Sequence, residues 1–107
     1  MKPMHLALTP AQRGIVTQLL RTLAPQHHAM AFGSRVRHDS ETASLKPHAD
    51  LDIALSGPPL ELHQMFVLRD ALSESDLPFR VDVSMLDDLP PQWRDSVAWV
   101  DLCSPVS

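Results

Sequence analysis

At 107 residues the chain has room for one hydrophobic core and none for a second. Its hydrophobic share of 44% is that of a globular domain, which speaks against disorder. A net charge of −4 speaks against a dedicated nucleic-acid groove, which needs a basic stripe, and a lone cysteine, Cys103, rules out an internal disulfide. A reducing, cytoplasmic setting is expected. No apolar run approaches a membrane span, and the segment after Lys2 lacks the continuous apolar stretch of a signal peptide. The expectation is a single domain over residues 1–107, its core at about 9–100 and a flexible tail from 103.

The first predicted element is a helix. Thr9 suits the N-cap, Pro10 the first helical position, and Gln12 the return partner of a capping box. Ile15, Val16, Leu19, Leu20 and Leu23 recur at helical spacing, and Pro25 ends the run. His28 to Phe32 reads as a short buried strand, broken by Gly33-Ser34, with a short helical turn expected next. Residues 39–48 are polar and read as a mobile loop. Ala49 to Leu55 is a second strand, with Leu51, Ile53 and Leu55 on one face and Asp50 and Asp52 on the other. A turn at Ser56-Gly57-Pro58-Pro59 leads to a helix over Leu60 to Ser73. Phe79 to Met85 is a third strand, with Val81 and Val83 opposite Arg80, Asp82 and Ser84. A last helix opens near Pro90-Pro91, carries Trp93, Val97 and Val100, and has Asp87-Asp88 at its start; the chain frays from Cys103. The order predicts an α/β (α+β) fold, a small mixed sheet flanked by helices.

The chemistry lies in three acids and one turn. Asp50 and Asp52 share a strand face and Asp82 lies in another strand, so negative charge gathers with no matching base. Divalent cations relieve such a cluster, and Mg²⁺ prefers the hard oxygens that aspartate supplies. Gly33 lets backbone approach a phosphate, Ser34 can hydrogen-bond one, and Arg35 and Arg37 can assist as cations.

Gly33-Ser34-Arg35-Val36-Arg37, then Asp50-Leu51-Asp52, then Asp82 resembles the minimal nucleotidyltransferases of the DNA polymerase β superfamily. The resemblance runs from the first helix to about Trp99. It implies the polymerase β-like nucleotidyltransferase fold and transfer of AMP from ATP, or of another NTP's nucleotide, to a hydroxyl. It implies two Mg²⁺ ions arriving with the nucleotide, with Asp50 and Asp52 holding both and Asp82 completing one site nearest the attacking hydroxyl. Gly33, Ser34, Arg35 and Arg37 fall at phosphate-binding positions. A chain this short has no acceptor domain, so the resemblance implies an acceptor on a partner: a HEPN-domain toxin, this chain being its antitoxin. A homo- or hetero-oligomer fits that role, whereas a membrane or direct nucleic-acid partner does not. The sequence departs from the family in a longer loop between Ser34 and Asp50, in His38 where glycine is common, and in Ala49 where serine often precedes the first aspartate.

Blander readings stand beside these. Asp50 and Asp52 could be charges guarding an edge strand. Arg35 and Arg37 could be surface residues. His5, His27, His28 and His63 read as surface or edge residues, and His38 and His48 flank the proposed site. Trp93 and Trp99 read as a core anchor and an interface contact before a base-stacking platform, and Cys103 as incidental. The alternative function is a non-catalytic module that neutralises a partner by contact.

Overall fold

The computed structural model describes residues 4–38, 49–96 and 99–105, and the expected loop over 39–48 lies outside them. The first long element is α1 (Pro10–Leu23), preceded by β1 (Met4–Leu6). The capping box forms as expected: Gln12 N donates to Thr9 Oγ1 at 3.1 Å and Thr9 N to Gln12 Oε1 at 3.0 Å. Val16 and Leu20 are fully buried, and Leu19 and Leu23 pack beside them. The helix closes where Ala24 N bonds Leu20 O, just before Pro25.

Next come β2 (His28–Phe32), β3 (Val36–His38) and β4 (Leu51–Ser56), then α2 (Leu62–Ser73) and β5 (Val81–Met85). A 3₁₀ turn (Leu86–Asp88), α3 (Pro91–Ser96) and β6 (Val100–Cys103) complete the chain. The main sheet runs β5-β4-β2-β6, with β4 and β5 parallel and the other pairs antiparallel. Parallel strands require a crossover, and α2 supplies it. Helices α1 and α2 pack together over one face of the sheet, against Leu51, Ile53 and Leu55, each 0% exposed. The fold is therefore mixed α+β, as expected. Among the described residues no helix is long and apolar enough to cross a membrane.

Four expectations are corrected. The segment after Gly33-Ser34 is strand β3, not a helical turn: Val36 N bonds Gly33 O at 3.0 Å, closing a turn that sends residues 36–38 back to pair with β1. The last helix ends at Ser96 among the described residues, and Val100 opens β6 instead. Pairing of β6 with Ala29, Met30 and Ala31 covers an edge of β2 that would otherwise stand open. Cys103 consequently sits buried at the end of a strand rather than opening a frayed tail. His27 is buried, with Nε2 against Pro58 O at 2.5 Å, where an exposed or edge histidine was expected.

The helix over 60–73 starts two residues later than expected, and its apolar residues divide. Met65, Leu68 and Leu72 are buried, whereas Leu62 and Phe66 are 86% and 66% exposed.

Candidate active site

Strand register brings the acids together. In the parallel β4–β5 pair Asp52 lies opposite Asp82, and in the antiparallel β2–β4 pair it lies opposite Phe32, the residue before Gly33. Asp50 is exposed just ahead of β4, and Asp82 is exposed on β5. Because β4 is flanked by β5 and β2, it is not an edge strand, and the edge-guarding reading of Asp50 and Asp52 falls.

Half-buried Asp52 is the electrostatic centre. Burial raises its pKa above the ordinary carboxylate value, and the charges of Asp82 and then Asp50 raise it further.

The Gly-Ser turn closes over Asp52. Gly33 adopts φ +86°, in the left-handed region that favours glycine, and a Cβ there would overlap Asp52 Oδ2. The backbone of the turn therefore touches the central carboxylate directly. Ser34 is exposed beside it, and Arg37 Nη1 donates to Ser34 O at 3.5 Å. With β3 in place of a helical turn, the helix N–H groups expected to help bind phosphate are not there.

Arg35 has a place that sequence reasoning missed. It is 5% exposed, not a surface residue, and its guanidinium lies 3.9 Å from the Phe79 ring centroid. Its Nε donates to Ala49 O at 2.7 Å and its Nη1 to Ala7 O at 2.8 Å. One side chain thus ties the Gly-Ser turn to the residue before Asp50, to the end of β1 and to the start of the Asp82 strand. Burial lowers the Arg35 pKa and Asp50 opposes that shift. The sequence signal available was its position in the turn, which also suits a phosphate ligand, and only its burial separates the two roles.

The donor set matches a hard divalent cation: oxygens only, from Asp52 and Asp82 on adjacent strands and Asp50 just ahead of β4, whose charges together raise the Asp52 pKa. In the present arrangement no three acidic, histidine or cysteine side chains among the described residues are disposed to hold a metal ion. The residues fit Mg²⁺ by chemistry and strand position, and their side chains are not drawn around one point. Of the flanking histidines, His48 lies outside the described residues.

A mixed sheet that presents paired aspartates beside a Gly-Ser turn is the arrangement that the resemblance to nucleotidyltransferases implies. The comparisons agree. MntA of Haemophilus influenzae, named a probable protein adenylyltransferase, is 39% identical over 80 residues, covering 74% of this chain. Over that stretch the chain is similar to a nucleotidyltransferase. The match spans 66% of MntA's own length. No family model matches the chain.

Proposed function

We propose that this chain is a Mg²⁺-dependent protein adenylyltransferase that moves AMP from ATP to a hydroxyl on a partner protein. The observation that carries the proposal is the register placing Asp52 opposite Asp82, with the Gly33 backbone against Asp52. The name of the MntA relative supports protein as the acceptor class.

In this reading Gly33 and Ser34 receive the outer phosphates, with Arg37 beside them, and Arg35 holds the turn in place. The acceptor hydroxyl oxygen attacks the α-phosphorus, the bond from that phosphorus to the bridging oxygen breaks, and pyrophosphate leaves. The hydroxyl proton passes to a carboxylate, Asp82 by the family resemblance. Asp50, Asp52 and Asp82 would hold Mg²⁺, which when bound would neutralise charge at the α-phosphate and the leaving pyrophosphate. The partner we favour is a HEPN-domain toxin, with AMP placed on its tyrosine hydroxyl and this chain serving as antitoxin.

A second reading has its own observation. Leu62 and Phe66 form an exposed apolar pair one helical turn apart on α2, a surface suited to neutralising a partner by contact alone.

The test is transfer of label from α-labelled ATP to a HEPN-domain partner protein, with Mg²⁺ or with a chelator, using wild type and D50A/D52A. Label from wild type with Mg²⁺ alone is the expected result. No label from folded wild type with any of the four NTPs refutes catalysis and leaves the contact reading.

A further inference from the structure

We infer that Trp99, packed at a tilt against Phe32, forms the base-stacking wall of the nucleotide site. This deepens the nucleotidyltransferase reading and rests on it.

The inference follows a row of residues across the sheet. Asp82 on β5 opposes Asp52 on β4, and Asp52 opposes Phe32 on β2. Directly opposed residues of neighbouring strands project to the same face. Trp99 immediately precedes β6, whose Val100 opposes Ala31, and this sets the indole beside Phe32. The two rings meet with centroids 4.9 Å apart at an interplanar angle of 56°. Asp82, Asp52, Phe32 and Trp99 thus follow one another on a single face.

That face is the one turned away from α1 and α2. Ala29 and Ala31 enter the main hydrophobic cluster beneath the helices, while Phe32 is buried outside it. Trp99 covers Phe32 and is itself only half-buried. Its one polar atom is already committed, since Nε1 donates to Arg94 O at 3.0 Å. The hydrogen bond fixes the ring's tilt and leaves it aromatic surface, not a donor, to offer a ligand. An oriented, partly exposed aromatic plane with no free polar group suits a flat π system, and a nucleobase is one.

The reach is suitable. Two strand spacings, about 10 Å, separate β4 from β6. A ribose and base extending from an α-phosphate at Asp52 span a distance of this order. The Gly-Ser turn leaves β2 along the strand direction, whereas Trp99 lies across the sheet. Outer phosphates and base therefore diverge from Asp52 instead of competing for one place. Recognition by stacking alone predicts tolerance among bases, with purines held better than pyrimidines through their larger ring.

The experiment is calorimetric titration of the full chain with ATP and, separately, with inorganic tripolyphosphate, both in Mg²⁺. Wild type, W99L and W99F are compared, and chemical denaturation verifies that each is folded. Leucine keeps apolar cover over Phe32 but offers no plane. The expected result is a loss of roughly tenfold or more in ATP affinity for W99L, recovery of part of it in W99F, and unchanged tripolyphosphate affinity. If W99L binds ATP as wild type does, the wall is refuted while the nucleotidyltransferase reading stands. If W99L weakens both ligands equally, Trp99 only supports the fold and the inference falls. If wild type binds neither ligand, the nucleotidyltransferase reading falls and the wall with it.

Discussion

Replacing Gly33 by alanine tests the contact between the Gly-Ser turn and the central aspartate. At φ +86° an L-residue costs about 1–2 kcal/mol. The new methyl would also overlap Asp52 Oδ2, so the carboxylate must turn away. An off-rotamer side chain costs a further ~1 kcal/mol. The expected destabilisation is about 2–3 kcal/mol in urea unfolding, equivalent to a fall in Tm on the order of 10 °C for a domain of this size. The control is Gly14→Ala in α1, where a Cβ meets nothing within 4 Å; that change should stabilise by about 0.5–1 kcal/mol. A double-mutant cycle isolates the contact. In an Asp52→Ala background the overlap is gone, so Gly33→Ala should cost about 1 kcal/mol less than in wild type. Strict additivity of the two changes, or a Gly33→Ala protein within ~0.5 kcal/mol of wild type, would show that the turn does not lie on the carboxylate.

Three further outcomes are expected. Asp52→Asn should abolish transfer yet raise stability at neutral pH. Asp52 has a raised pKa in the folded state, so the folded chain binds more protons than the unfolded one between the ordinary carboxylate value and the raised one. Wild-type stability therefore falls as pH rises through that window, and the asparagine variant's advantage should vanish below it; urea unfolding across pH 3–8 reads this, and an advantage that grows on acidification contradicts the assignment (about 4 for the ordinary value). Arg35→Lys should cost about 2–3 kcal/mol, because lysine cannot serve Ala49 O, Ala7 O and the Phe79 face together, and an unchanged denaturation midpoint would contradict the bracing role. Thr9→Ala should cost about 1 kcal/mol through loss of the α1 cap, read by thermal unfolding.

Elements governed by local rules were legible in the chain itself. The capping box at Thr9 and Gln12, the apolar stripe of α1 and the alternation that buries Leu51, Ile53 and Leu55 depend on residues a few positions apart. The faces of Asp52 and Asp82 were legible because alternation within a strand sets them, and the turn at Gly33 because glycine readily takes a positive φ, whereas Asp50 stands ahead of β4.

Pairing between distant segments was not legible. β1 and β3 are three residues each, too short for any periodicity, and exist because each supplies the other's hydrogen bonds. Val100 fits a helical spacing from Trp93 and Val97, yet it lies in β6 because the edge of β2 offers it backbone partners. Arg35 is charged and stands in a polar stretch, which is the pattern of a surface residue. It is buried because carbonyls of Ala7 and Ala49 and the ring of Phe79, remote in the chain, converge on its guanidinium. The same holds for Phe32 and Trp99. By itself the sequence determined which residues could carry the chemistry, through residue type and strand alternation. Tertiary structure decided which of them meet, because register between strands far apart in sequence is set by backbone hydrogen bonding and core packing, which local spacing does not encode.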